Sequence, residues 1–222
     1  MKFLPQNKIK LRWTPNFAYA IGLITTDGYL SKDKRHIGLK SVDYQLANNL
    51  KKALNLTNQI KRRSSKSLSR KDCFEIQFGD INFYRFLNKI GLTSAKSKVI
   101  KQVEVPDKFF ADFLRGVFEG DGSFYTFYDK RWKNSFVYQL SFASASLNFL
   151  KWLKHKLSDL YKTHGFFHKG KGIYELRYTK RDTQILFQKI YYSKNSLILN
   201  RKYTKIQKYI LKDISEVATR PR

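Results

Sequence analysis

Two aspartates stand out by their positions. Asp27 closes the apolar run Ala20-Ile21-Gly22-Leu23-Ile24-Thr25-Thr26 and is followed by Gly28. Half a chain later, Asp121 closes Leu114-Arg115-Gly116-Val117-Phe118-Glu119-Gly120 and is followed by Gly122. If both runs are helices lying side by side, the two carboxylates meet. Paired carboxylates repel, and one takes up a proton unless a cation neutralises them. Mg²⁺ suits such a pair, because it favours carboxylate oxygen combined with phosphate oxygen. Two ions about 3.5–4 Å apart activate water and stabilise the leaving oxygen of a phosphodiester. The chemistry indicated is metal-dependent phosphodiester hydrolysis, with Mg²⁺ as the expected cofactor and Ca²⁺ or Mn²⁺ able to take the same positions. A single Asp-Gly stop would mark only the end of a core helix.

Small residues give the two runs a reason to meet. Ala18, Gly22 and Thr26 fall at i, i+4 and i+8 on one helix face, and Asp112, Gly116 and Gly120 take the corresponding places in the second copy. Stripes of this kind let helix backbones approach closely. Ala18, Gly22, Thr26, Gly116 and Gly120 are therefore the expected interface.

The partner is indicated by charge. Among 222 residues, 44 Lys and Arg oppose 17 Asp and Glu, a net charge of +27. A folded chain with that excess meets a polyanion. Hydrophobic residues reach 42%, with 18 Phe and 14 Tyr, enough for a packed core. Cys73 is alone, so no intrachain disulfide forms and an intracellular setting fits, with the host compartment left open. His164 and His168 have ligand-like spacing but no Cys pair upstream, and they read as ordinary loop or strand residues. No signal-peptide core and no membrane-spanning run is present.

The elements around the two aspartates repeat. After Gly28, residues 29–40 read as a hairpin turning at Ser31-Lys32-Asp33-Lys34. Asp43 caps a helix carrying Leu46, Leu50 and Leu54. Residues 59–66 are a basic strand or loop, and 73–79 alternate as a strand. Asp80 caps a helix that closes at Gly91. Residues 93–101 are polar and basic, and 104–108 form the linker. Past Phe109 the order recurs: apolar helix, hairpin around residues 129–134, helix capped by Ser146, two strands, helix, then a basic helical tail over 200–213. The fold class expected is α+β, a tandem pseudo-two-fold repeat of αββαββα. Each half, 1–103 and 109–222, has a four-stranded antiparallel sheet backed by helices, and the halves join at the two central helices.

The runs 20–28, AIGLITTDG, and 114–122, LRGVFEGDG, resemble the LAGLIDADG motif. The chain resembles a single-chain LAGLIDADG homing endonuclease over residues 15–213. The resemblance implies a monomer that cuts both strands of a long asymmetric double-stranded DNA target, leaving short 3′ overhangs and promoting intron, intein or own-gene homing. It implies Asp27 and Asp121 as catalytic metal ligands, assisted by the backbone carbonyls of Thr26 and Gly120. It also implies a basic residue late in each repeat, matched by Lys96 and Lys202, and polar residues that order site waters, matched by Ser41 and Ser144. The sixth motif position, Thr25 or Glu119, supports the helix interface, and Glu119 receives no chemical role.

DNA contacts are expected on the polar faces of the sheets: Lys32, Lys34, His36, Lys40, Lys61, Arg63, Glu75 and Gln77 in the first half. In the second they are Lys130, Arg131, Lys133, Gln139, Ser141, Glu175, Arg177 and Thr179. Arg and Lys read guanine, Gln reads adenine, and Glu accepts from cytosine; others touch phosphate only. Gly172-Ile173-Tyr174 spells the opening of a GIY-YIG motif, but no Tyr-Ile-Gly follows it. Two other functions fit: an RNA maturase acting on its own intron RNA with the same fold, and a non-catalytic nucleic-acid-binding protein.

Overall fold

The computed structural model describes residues 8–64, 72–129 and 136–218, with side chains placed as far as 211. Local signals start the three longer helices of the first half. The Thr14 hydroxyl accepts from the Phe17 amide at 3.1 Å, Pro15 takes the first helical position, and α1 runs Pro15–Thr26. Residues Phe17–Thr25 are buried all round. A hairpin follows, β1 Gly28–Leu30 and β2 His36–Ser41. Asp43 caps α2, Tyr44–Ala53, accepting from the Gln45 amide. Strands β3 Lys61–Arg63 and β4 Cys73–Gly79 complete the sheet. Asp80 caps α3, Ile81–Lys89, and a single helical turn, α4 Lys96–Val99, ends the half.

The second half repeats this order. Helix α5 spans Phe110–Asp121, strands β5 and β6 span Gly122–Tyr128 and Phe136–Ser144, and α6 spans Leu147–Tyr161 under a Ser146 cap. Strands β7 Phe166–Lys169 and β8 Tyr174–Tyr178 precede α7 Lys180–Ile190 and α8 Asn200–Ala218. Both sheets are antiparallel, in the orders β1-β2-β4-β3 and β5-β6-β8-β7. The chain is thus an α+β tandem repeat of two such layers. The turn α4 is a feature the sequence did not signal, because four residues carry no helical period.

Each sheet buries its apolar face. Ile37, Leu39, Ile76 and Phe78 face the helices in the first half, and Tyr138, Leu140, Phe142, Leu176 and Tyr178 do so in the second. The two halves meet at α1 and α5, the most extensive helix–helix contact in the molecule. There the backbones nearly touch. A β-carbon added to Gly22 would lie 2.2 Å from the Phe113 carbonyl oxygen, and one added to Gly116 would lie 2.3 Å from that of Tyr19. Only glycine permits this crossing. Gly120 closes the same seam against Thr26. Asp112 is a departure from the expected stripe: it is a buried ion-pair partner of Arg115, at 2.9 Å, and not a small spacer.

Candidate active site

The glycine crossing carries α1 and α5 to a common end. A β-carbon on Gly120 would stand 3.0 Å from Asp27 Oδ2, so the Asp27 carboxylate lies against the last turn of the opposite helix. Partial burial pushes the Asp27 carboxyl up to about 6, and the nearby Asp121 charge adds to this. Burial also raises Asp121, whose side chain still reaches solvent. Lys96 and Lys202 pull both carboxyls back toward the charged form. All four side chains therefore share one electrostatic neighbourhood.

The lysines occupy matching places. Each one reaches the carbonyl end of the motif helix in its own half, where unpaired helix carbonyls leave partial negative charge. Buried Lys96, the first residue of α4, donates to the Gly28 carbonyl. Lys202, in the first turn of α8, donates to the carbonyls of Phe118, Gly120 and Gly122 at 2.8, 3.0 and 2.6 Å. Burial lowers both ammonium groups to about 8. Lys202 thus engages the Gly120 carbonyl, one of the backbone atoms expected to help hold a metal.

Among the described residues no cluster of three or more His, Cys, Asp or Glu occurs. Two carboxylates nonetheless fit a hard divalent cation if phosphate and water supply the remaining oxygens. Their raised pKa values express the same need, since neither burial nor mutual repulsion is compensated by the lysines alone.

Ser41 and Ser144 take another part. Their hydroxyls accept from the amides of Asp43 and Ser146, each at 3.1 Å, and so shape the turns that start α2 and α6. Each hydroxyl keeps its own hydrogen to donate beyond this local bond.

A buried polar network lies one turn below the aspartates, and the sequence reading passed over most of it. Glu119 accepts from the Tyr19 hydroxyl at 2.5 Å and the Leu199 amide at 2.8 Å. Burial pushes its carboxyl up to about 7. Arg115 pairs with Asp112 and donates to the carbonyls of Leu197 and Ile190. From the first half, Asn49 and Gln45 donate to the Ile198 carbonyl, and Asp43 holds Arg201 at 2.6 Å. Together these groups fix the segment between α7 and α8 and so position Lys202. The available signal was three ionisable residues, 112, 115 and 119, at i, i+3 and i+7 on an otherwise apolar helix.

The polar sheet faces are less uniform than expected. Lys32 and Lys34 are exposed at the first hairpin turn, and His36, Lys40, Lys61, Arg63 and Gln77 line the first face. Glu75 lies among them but is buried beneath Tyr29, Lys40 and Arg63, which contact it at 2.8, 3.2 and 2.7 Å. It neutralises its neighbours and is not free to accept from cytosine, which corrects the expectation for this residue. On the second face Ser141 is only 2% exposed, opposite Ser123 and Arg177, so it cannot reach a base. Arg177 pairs with Glu175 at 2.7 Å. Gln139 is partly exposed and Thr179 is exposed. Lys130, Arg131 and Lys133 lie outside the described residues.

Comparison with known proteins agrees with this architecture. The family model of the LAGLIDADG-like domain matches residues 14–91 and 109–191. No curated protein sequence matches significantly. The homing endonuclease I-WcaI, bound to its DNA recognition sequence, is similar at 16% identity and TM-score 0.60, covering 87% of this chain and 88% of that one. I-DmoI in complex with DNA and Ca is similar at 18% identity and TM-score 0.55, over 87% and 97% of the two chains. Full-length DUF199/WhiA from Thermatoga maritima is similar at 16% identity and TM-score 0.56, over 95% and 72%. The fold is thus common to chains named as endonucleases and to one named otherwise. Among the described residues no helix is long and apolar enough to cross a membrane. With both repeats matched by the family model, the chain belongs to the LAGLIDADG-like domain family.

Proposed function

We propose that this chain is a site-specific endonuclease that hydrolyses both strands of double-stranded DNA with a divalent metal, Mg²⁺ by preference, and promotes homing of an intron, an intein or its own gene. The observation that carries the reading is the convergence of Asp27 and Asp121 at one end of the glycine-crossed helices, with buried Lys96 and half-buried Lys202 beside them. A purely structural nucleic-acid binder has no use for two partly buried carboxylates at the centre of a chain of charge +27. They repel the polyanion unless a cation stands between.

Asp27 and Asp121 would hold the metal, with the Thr26 carbonyl beside them and the Gly120 carbonyl available once Lys202 lets go of it. A divalent ion held there supplies neutralisation of the phosphate and an acidified water. Lys96 and Lys202 place positive charge next to a phosphate that becomes more negative as water adds to phosphorus. The proton that water gives up passes to bulk solvent, which the Asp121 side chain still reaches. The bond from phosphorus to the leaving oxygen then breaks, and that oxygen takes a proton from solvent. One chain contributes both halves of the site, so a monomer suffices, and its place is inside the cell wherever its target DNA lies.

Incubating the chain with a randomised duplex library in Mg²⁺, then sequencing the ends produced, tests this. The reading predicts recurrent ends within one related set of sequences, abolished by chelation. No Mg²⁺-dependent ends would contradict it.

A further inference from the structure

The two sheets present different chemistry on the faces turned away from their helices. On the first, the strand residues of that face include His36, Lys40, Lys61, Arg63 and Gln77. Lys61, Gln77, Lys40 and Arg63 are exposed, and the last two keep 55% of their side-chain surface despite pairing with Glu75. The face also carries Tyr29, which crosses over Gly38 with its hydroxyl on Glu75. What it offers outward is hydrogen-bond donors.

On the second sheet the register of Lys40 carries Ala143, those of His36, Lys61 and Gln77 carry Gln139, His168 and Arg177, and the same face adds Tyr125, Phe127, Val137 and Phe166. Phe127 and Phe166 are 40% and 42% exposed, on a face the helices leave open. The charged strand residues of this face are Glu175 and Arg177, and they neutralise one another. Arg177 also contacts His168 at 3.1 Å and lies over the Tyr125 ring. Two of its nitrogens are thus engaged, and its side chain is only 22% exposed.

In the major groove, guanine offers the acceptors N7 and O6, while thymine offers a methyl group. Donor-rich and apolar faces select these two features respectively. Resting on the endonuclease reading, we infer that the target is chemically lopsided: the first sheet reads guanine through Lys61, Arg63 and Lys40, and the second reads thymine methyl groups through Phe127, Phe166 and Val137. Exposed aromatic rings facing a polyanion would be a liability for phosphate contact alone, and become useful once a methyl-bearing groove covers them.

The test uses the full chain and the duplex recovered by selection from a randomised library in Ca²⁺. Deoxyuridine in place of thymidine deletes only the methyl, and 7-deazaguanine deletes only the N7 acceptor. Uridine in the half under the second sheet is expected to weaken binding about fourfold per contacted methyl, the value for one buried carbon, and to change little in the other half. Deazaguanine is expected to cost at least about fivefold under the first sheet. Selection repeated with Phe127→Ala and with Lys61→Gln assigns each half, since the first should relax thymine positions and the second guanine positions. Equal uridine sensitivity in both halves, or Phe127→Ala relaxing guanine, would overturn the inference while leaving the nuclease reading intact. Recovery of no specific duplex, together with no Mg²⁺-dependent cutting, would overturn both.

Discussion

Helices α1 and α5 share a length, a backbone crossing and an Asp at the end, yet they are built from different chemistry. Where α1 carries Ala18, Ile21 and Thr25, α5 carries Asp112, Arg115 and Glu119, all buried. Thr25 satisfies itself on the Ile21 carbonyl of its own helix. Glu119 and Arg115 instead reach Tyr19 across the seam and the Leu197–Leu199 segment behind it. The same division appears in the lysines: Lys96 sits on a four-residue helix, and Lys202 on a 19-residue helix held by side chains from both halves. The difference teaches that a repeat can keep its carboxylates and lysines symmetrical while differentiating the scaffold one turn below them. It also shows Glu119 as a buried support that accepts from the Tyr19 hydroxyl and the Leu199 amide.

The sharpest way to break the shared part is to fill the seam. Gly22→Val and Gly116→Val each drive a side chain into backbone 2.2–2.3 Å away, and each should cost at least about 3 kcal/mol in thermal or urea unfolding. If either melted like the parent, the close approach would not govern the fold.

Next in size is the part that differs. Asp112→Ala strands Arg115 without its carboxylate in a fully buried site, at a cost of about 3–5 kcal/mol. Adding Arg115→Leu should recover most of that loss, because the unpaired charge leaves with it. Failure of the double variant to recover would mean that the bonds from Arg115 to Ile190 and Leu197 matter more than its charge.

The lysines sharpen the comparison at the site. Lys96→Met and Lys202→Met should each lower the cleavage rate by about a hundredfold with DNA affinity little changed. Lys202→Met should also lower the melting temperature more, since it vacates three carbonyls where Lys96 vacates one.

The smallest effect is one of pH. A carboxyl that binds its proton more tightly folded than unfolded stabilises the fold below its ordinary pKa, and that contribution fades as pH rises through the folded value. For Asp27 the window runs from 3.8 to about 6, and for Glu119 from 4.5 to about 7. The metal-free melting temperature should therefore drop by a few degrees across pH 4–7. Asp27→Asn should remove the lower part of the drop and Glu119→Gln the upper part. A drop unchanged by both would contradict the account of these carboxyls.

What the sequence disclosed was set by local physics. Caps at Asp43, Asp80 and Ser146 announce helices because the side chain bonds its own amide neighbours. The Asp-Gly stops and small-residue stripes are likewise contained within one helix. Glu75 and Ser141 were legible as polar-face residues from strand alternation, but not as buried ones. The cover of Glu75 comes from Tyr29, Lys40 and Arg63, and Ser141 meets the Tyr125 side chain of a neighbouring strand, which alternation does not register. Lys96 and Lys202 depended on the family resemblance, since nothing in a lysine-rich segment distinguishes a buried ammonium from a solvated one.

The central claim is that Asp27 and Asp121 form one hydrolytic centre. Its most direct test is Mg²⁺-dependent cleavage of the selected duplex by Asp27→Asn and Asp121→Asn, each compared with the parent chain at matched DNA occupancy. The account predicts that either substitution lowers double-strand cleavage by at least about a thousandfold while binding persists, since each removes several kcal/mol of charge stabilisation. Undiminished cutting by both single variants would contradict it.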